Sequence, residues 1–362
     1  MMKILHIASG DKWAGAEVQV WTLCTELVKQ GQTVHAIVLN PGRLAEMLGH
    51  SGVTVTVLDE SRFGFSKLLE KIKLELHRWQ PDVIHTHRQK ENILGALANK
   101  MTISAPSFRT VHGAPEFAPS FKQRLQISAD RFAGKRLQNG VISVSDDLTE
   151  KLKVIYPAEK IHTIANGICA ATVRADSKKA LIEPLSKSFV HIGLVGRIET
   201  VKRVDIFLDT AAKLLHESRL PKPPYFHIFG EGSLLPEMQQ KASQLGIAEQ
   251  VTFHGHTHNV RGWIANMDLL MMTSDHEGLP MTALESLALG VPMVAHATGG
   301  LVPLLKGGAK GQGLVYEHSA AGYYNTVVDV LTSPHPVSLP EEYSSANNAS
   351  QITALYRKMT GL

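Results

Sequence analysis

A chain of 362 residues is longer than one ordinary hydrophobic core supports, and the length points to two domains of comparable size. Its composition, 44% hydrophobic, 19% charged and 6% aromatic, excludes a disordered or collagen-like polymer, and its richest apolar runs, such as Met267 to Thr273, are strand-sized and too short to span a bilayer. A formal charge of +4 is too small to serve as a nucleic-acid footprint, and two cysteines, Cys24 and Cys169, with no CxxC pair fit a reducing compartment, so the expected location is cytoplasmic with no nucleic-acid partner.

The start, Met1 to Ala8, reads as a first strand and not a leader, because polar residues follow the short apolar run where a cleavage site would sit. Strands rich in Val and Ile are expected at Lys3 to Ala8, Val34 to Leu39, Val53 to Leu58, Val83 to His87, Ser107 to His112 and Gly140 to Ser145. Between the first two, Val18, Trp21, Cys24, Leu27 and Val28 recur at helical spacing and Gly31 stands where a left-handed cap ends a helix. From Phe121 through Lys122, Arg124, Leu125, Ile127, Arg131, Phe132, Lys135 and Arg136 to Leu137 runs a basic, partly amphipathic stretch, suited either to an anionic membrane surface or to a core helix with solvated cations.

The stretch 169–188 lacks periodicity, carries Lys178, Lys179, Pro184 and Lys187, and reads as an interdomain linker. Further strands are expected at Phe189 to Val195, Tyr225 to Phe229, Val251 to His254, Leu269 to Thr273 and Pro292 to Ala295. Helical spacing returns through Ile352, Leu355 and Met359 after a Pro-rich run from Pro334 to Pro340. The expected organisation is therefore a domain over 1–168, the linker, a second domain over 189–344, and a helix over 345–362 packing back on the first.

Neither half has a GxGxxG, which argues against a nicotinamide cofactor. Gly10 and Gly15 open onto a helix near Ala16, either as a phosphate cradle or as a plain tight turn. In the second half Arg197 and Lys202 follow a strand end at Gly196, a fork and a mobile point charge suited to offsetting a diphosphate without a metal ion; singly, each is an ordinary surface cation. The run from His276 to Pro292 has the grammar of a helix: Pro280 at its start, Leu284, Leu287 and Ala288 as an apolar stripe, Gly290 and Pro292 at its end. Gly278 allows close backbone approach, the N–H groups from Leu279 to Thr282 point out of the helix start, and Glu277 and Glu285 can accept from sugar and ribose hydroxyls or act as a dipole partner and a surface charge.

These residues resemble the family 4 retaining glycosyltransferases of GT-B fold, whose signature is a Glu, seven residues and a second Glu, with Gly-x-Pro after the first. Glu277, Gly278, Pro280 and Glu285 match it, as do Gly290-Val291-Pro292-Met293-Val294-Ala295, Thr298-Gly299-Gly300, Gly196-Arg197 with Lys202 and Asp205, Gly230-Glu231-Gly232, Asn166-Gly167-Ile168, Val144-Ser145, His85-x-His87 and Thr110-Val111-His112. The resemblance implies an α/β chain of two Rossmann-like domains facing each other across a deep cleft, the first for the acceptor and the second for a nucleotide sugar. It implies Arg197 and Lys202 on the diphosphate, Glu277 and His112 on the transferred sugar and Glu285 on the ribose, with Gly15, Gly196, Gly230, Gly278, Leu279, Pro280, Met281 and Thr282 completing the donor site; His85 and His87 are expected to be structural. Ala14, Pro303 and Arg203 depart from the pattern, standing where relatives carry Gly, Glu and Gly.

The expected reaction is transfer of a sugar from a UDP- or GDP-linked donor to a saccharide or lipid-linked saccharide with retained configuration, in cell-surface glycan or glycolipid synthesis. No cofactor and no metal is expected, since no Asp-x-Asp loop and no histidine cluster with metal spacing stands out. The enzyme is expected at the inner face of the cytoplasmic membrane. The rivals are a sugar-nucleotide epimerase or hydrolase on the same fold, and a non-catalytic binding subunit.

Overall fold

Apolar runs without period-two alternation need cover on both faces, and they find it in parallel sheets between helices. The computed structural model describes residues 1–11, 13–113, 121–179, 184–217, 219–257, 259–306, 313–333 and 335–362, with only the backbone of 121 and 122. Lys12, Pro334, residues 180–183 of the expected linker, and the side chains of Phe121 and Lys122 lie outside the described residues.

The first sheet contains β1 (Lys3–Ala8), β2 (Thr33–Val38), β3 (Thr54–Val57), β4 (Val83–Thr86), β5 (Ser107–Val111), β6 (Gly140–Ser143) and β7 (Ile161–Thr163), in the order 3-2-1-4-5-6-7. The second contains β8 (Val190–Val195), β9 (Pro224–Phe229), β10 (Val251–Gly255), β11 (Leu269–Met272), β12 (Met293–His296) and β13 (Gly313–Val315), in the order 10-9-8-11-12-13. Every described pairing is parallel, and each sheet reverses its winding beside its first strand, between β1 and β4 and between β8 and β11. In such sheets ligands meet the carboxyl ends of the strands at that reversal.

The chain divides into two units, Met1–Ile168 with Glu342–Leu362, and Cys169–Glu341. It leaves the first unit beside its own return: Ile168 N–H donates to Tyr343 O at 2.9 Å and Ser345 N–H to Ile168 O at 3.1 Å. The expected linker is corrected here. Ala170–Lys178 is a helix of the second unit, held by Arg174 Nε donating to Ala288 O at 2.9 Å and by an ion pair from Asp176 to Arg261 at 2.7 Å.

Alternation along β1 sorts the first core. Ile4 and Ala8 join Leu23 and Leu27 of the Gly15–Lys29 helix and Ile352 and Tyr356 of the Ser345–Thr360 helix; Leu5 and Ile7 join Leu68, Ile72 and Leu76 on the other face. The C-terminal helix is tied to Gly15–Lys29 by Gln19 Nε2 donating to Asn348 Oδ1 at 3.1 Å. In the second unit Ile192, Leu194, Phe207, Leu208, Phe226, Ile228 and Val327 pack as one cluster. Each such side chain contributes about 1.5–3 kcal/mol on full burial, which fixes the sheets and hence the strand ends. Among the described residues no helix is long and apolar enough to cross a membrane.

Candidate functional site

The carboxyl edge of β8 and β11 gathers the second unit's predicted residues. β8 ends at Val195 and runs into half-buried Gly196 and exposed Arg197, then a single 3-10 turn at Thr200–Lys202. Two bonds tie that turn to the end of β11: Thr273 Oγ1 donates to Lys202 O at 2.8 Å, and Asp275 N–H to Val201 O at 2.9 Å. The Lys202 stem lies against Gly196, where a Cβ would touch its methylenes at 3.5 Å. Its ammonium meets Glu277 Oε1 at 2.6 Å, with both side chains at least four-fifths buried.

The Glu277 loop is shaped by glycine. Gly299 has φ +53°, and a Cβ there would stand 1.7 Å from Glu277 O; Gly300 N–H donates to Gly278 O at 2.6 Å. Gly230 plays the same part at the end of β9, with φ +134° and a Cβ position 1.9 Å from Gly196 O. Both loops pass where only glycine fits, so their backbones are placed to approach a ligand closely.

The helix Met281–Ala288 follows, with Pro280 in extended conformation at its N-cap and no side chain capping it. Pro280 thus stands one position before the helix and not within its first turn. Leu279 and Met281 are buried anchors, while Gly278, Pro280 and Thr282 stay half-buried. An uncapped helix start beside an ammonium is an anion site in waiting.

Glu285 is buried, not a surface charge. Arg261 Nε and NH2 reach its Oε1 at 2.9 and 2.8 Å, and the same guanidinium holds Asp176 Oδ2 at 2.7 Å. Burial pushes the Glu285 carboxyl up, and Arg261 opposes that. Arg261 and Asp176 had no signal in the sequence. Arg203, marked in the sequence as a departure from the family pattern, bridges Asp205 at 2.9 Å and Asp275 at 3.2 Å from a left-handed backbone, φ +49°. That conformation explains why glycine is common there in the family pattern.

The first unit's edge carries different chemistry. Gly15 begins the Gly15–Lys29 helix and is exposed, but that helix start already holds an anion: Glu17 accepts from Ala14 N–H at 3.3 Å and pairs with Arg88 at 2.5 Å. Arg88 also holds Asp11 at 2.7 Å. A phosphate at Gly15 would meet a carboxylate, so the tight-turn reading fits this loop better than a phosphate cradle.

His112, just past β5, lies 27° from parallel with His87, its Nε2 3.4 Å from His87 Nδ1; His87 Nε2 lies 3.0 Å from His6 Nδ1. His85 stacks on His87 and bonds Tyr356 OH at 2.5 Å and Thr110 Oγ1 at 2.7 Å. Burial pushes His6 down to about 3 and His112 to about 4, Arg88 adding to the second, and it holds His85 and His87 well below the ordinary range. These rings are neutral near pH 7.

No histidine cluster with metal spacing stands out along the chain, yet among the described residues His6, His85 and His87 bring one ring nitrogen each within 4.8 Å. They are the group that a metal would choose. Their rings are stacked, and His6 with His87 and both nitrogens of His85 are engaged in hydrogen bonds, which an ion held there would have to replace.

The family model described as Glycosyltransferase Family 4 matches residues 13–171, and that described as Glycosyl transferases group 1 matches 190–333. The chain belongs to the family 4 glycosyltransferases. It is 26% identical over 259 residues to the UDP-Gal:alpha-D-GlcNAc-diphosphoundecaprenol alpha-1,3-galactosyltransferase of Escherichia coli, covering 68% of this chain and 64% of that one. It is 30% identical over 148 residues to the lipopolysaccharide core biosynthesis mannosyltransferase LpsB of Rhizobium meliloti, covering 39% and 40%. These two matches thus span between 40% and 64% of the relatives' own length. Anabaena HepE in complex with UDP and glucose shares the fold, with a TM-score of 0.76 at 20% identity over 99% of this chain and 96% of that one. As a family member the chain is of GT-B fold, in line with its two doubly wound parallel sheets.

Proposed function

We propose that this family 4 glycosyltransferase moves a sugar from a nucleoside diphosphate donor to a hydroxyl of a saccharide or lipid-linked saccharide, with retained anomeric configuration, in the synthesis of a cell-surface glycan or glycolipid. The observation that carries this reading is the Lys202–Glu277 pair beside an uncapped helix start at the winding reversal of the second sheet. Glu277 pairs with the Lys202 ammonium. A diphosphate entering there competes for Lys202 and the Met281–Ala288 N–H groups, and the released Glu277 carboxylate accepts from hydroxyls of the sugar.

Arg197 and Lys202 then offset the charge that grows as the bond from the anomeric carbon to the diphosphate breaks, and no metal ion is needed for that task. The acceptor oxygen bonds to the same carbon on the same face, and its hydroxyl proton passes to the departing diphosphate oxygen. Glu285, fixed by Arg261, is assigned to the ribose, and His112 is the first unit's residue assigned to the transferred sugar. UDP fits best as the donor nucleotide, because the Escherichia coli relative is named for UDP-Gal and HepE was solved with UDP.

The helix Phe121–Phe132 and the turn after it expose Leu125 and Phe132 among Arg124, Arg131, Lys135 and Arg136. That mixture suits an anionic lipid surface at the inner face of the cytoplasmic membrane, where a lipid-linked acceptor would be met.

One assay tests the whole reading: UDP-galactose, UDP-glucose and their GDP counterparts with a diphosphoundecaprenol-linked saccharide in phosphatidylglycerol or phosphatidylcholine vesicles. The expected result is nucleotide release that needs the acceptor, runs faster on the anionic vesicles, and yields a product with the donor's anomeric configuration. Equal release without acceptor points to the hydrolase reading, and donor conversion without release to the epimerase.

A further inference from the structure

Two chains of three histidines cross the two sheets, and they differ at their ends. In the second unit His191 Nε2 lies 2.9 Å from Ser186 O, His191 Nδ1 lies 2.9 Å from His227 Nε2, and His227 Nδ1 lies 3.0 Å from His254 Nε2. A carbonyl only accepts, so His191 must carry its proton on Nε2. Its Nδ1 then accepts from His227 Nε2–H, and His227 Nδ1 accepts from His254 Nε2–H, which fixes one direction throughout.

The first unit's chain, His6–His87–His112, has no such anchor. Its outer atoms, His6 Nε2 and His112 Nδ1, are both buried and have no hydrogen-bond partner among the described residues. Three neutral rings hold three N–H protons and the two links use two of them. The third must sit at one end or the other, and either choice leaves one buried N–H unpaired, so the two directions are closely balanced.

We propose that His6 and His87 are positioning residues that set the tautomer of His112 through this reversible chain, so that the group His112 meets at Nδ1 selects whether an N–H or a lone pair is offered there. A hydroxyl that donates to Nδ1 sends the links from His112 toward His6, and one that accepts sends them the other way. Conversion takes up one proton at one end of the chain and gives one up at the other, so the charge of the chain does not change. His85 clamps the middle ring by stacking at 4.4 Å and is itself held by two hydroxyls. The consequence for turnover rests on the proposed contact of His112 with the transferred sugar; the chain itself does not.

The test is a long-range proton–nitrogen ring spectrum of the full chain labelled with 15N-histidine, near neutral pH and without ligand. His191, His227 and His254 should each show a single Nε2–H form, while His6, His87 and His112 show both tautomers as averaged or doubled ring-nitrogen signals. In His6→Phe the His87 and His112 signals should move, and turnover with UDP-galactose should fall about tenfold or more with KM within about threefold. His6→Asn, whose amide falls at the Nδ1 position, should recover most of that turnover. A single fixed His112 tautomer in the unsubstituted protein, His112 signals unmoved in His6→Phe, or stoichiometric Zn2+ uptake by these rings overturns the proposal. If His6→Phe does not fold, the unsubstituted spectrum and His6→Asn still decide. Both tautomers present with His112→Ala turning over at the original rate would keep the chain and remove the sugar contact.

Discussion

The two units share a winding and differ in what they place where it reverses. Between β8 and β11 the second unit sets charge against charge: Lys202 on Glu277, Arg261 on Glu285 and Asp176, Arg203 on Asp205 and Asp275. Between β1 and β4 the first unit lines up neutral imidazoles and seals its helix start with Glu17 and Arg88. One scaffold therefore yields an edge fit for a mobile anion and an edge fit for hydrogen bonding without charge; the backbone decides where a ligand sits, and the side chains decide which kind.

Breaking the charged edge should cost most. Arg261→Met leaves the Glu285 carboxylate buried without its partner, and about 3–5 kcal/mol of stability should be lost. A urea melt near neutral pH reads this directly, and Arg261→Met with Glu285→Leu should recover most of it. A loss below about 1 kcal/mol in the single variant would show that Glu285 is not held as described.

The neutral edge responds to pH. His6 titrates near 3 in the folded protein and near the ordinary 6.5 when unfolded, so below about pH 6.5 the unfolded chain takes up a proton that the folded ring refuses. Its contribution is intact above that pH and is lost as the pH falls toward 3, at about 1.4 kcal/mol per unit. Other buried groups titrate too, so the readout is a difference: between pH 6.5 and 5.5, where the unfolded ring goes from half to mostly protonated, the stability of the unsubstituted protein should drop relative to His6→Asn by about 1 kcal/mol. Parallel curves would mean that His6 is not buried neutral.

The smallest effect should come from Arg203→Gly. Relief of a left-handed backbone, about 1–2 kcal/mol, opposes the loss of two partly exposed ion pairs. The melting midpoint should move little, and a large loss would give those pairs a weight that exposed pairs rarely have.

Most central strands were legible because a parallel sheet buried on both faces demands continuous Val and Ile runs, and β1, β8 and β9 fall within a residue of where those runs stand. β7 and β13 were not, being three residues long at sheet edges. The helix at Ala170–Lys178 hid for another reason: Val173 is its one buried residue, and distant partners, Ala288 and Arg261, hold it in place of an apolar stripe. In the site, Glu277 and Glu285 were marked by the seven residues between them and by Gly278 and Pro280 after the first, and Lys202 by following a strand end. The partner of Glu285 was not, because Arg261 stands 24 residues from it and no local pattern joins them. His6 was invisible as a polar residue inside an apolar strand, since only the register that sets it opposite His85 reveals its neighbours.

The central claim is that the second unit's edge binds the diphosphate of a sugar donor through Lys202. Titration calorimetry of UDP into the unsubstituted protein and into Lys202→Ala tests it without any acceptor. UDP should bind the first, and the loss of one charge-assisted contact should weaken binding in the second by about ten- to a hundredfold at a temperature where both proteins are folded. Equal affinity in both proteins, or no binding of UDP or GDP to the unsubstituted chain, would contradict the account.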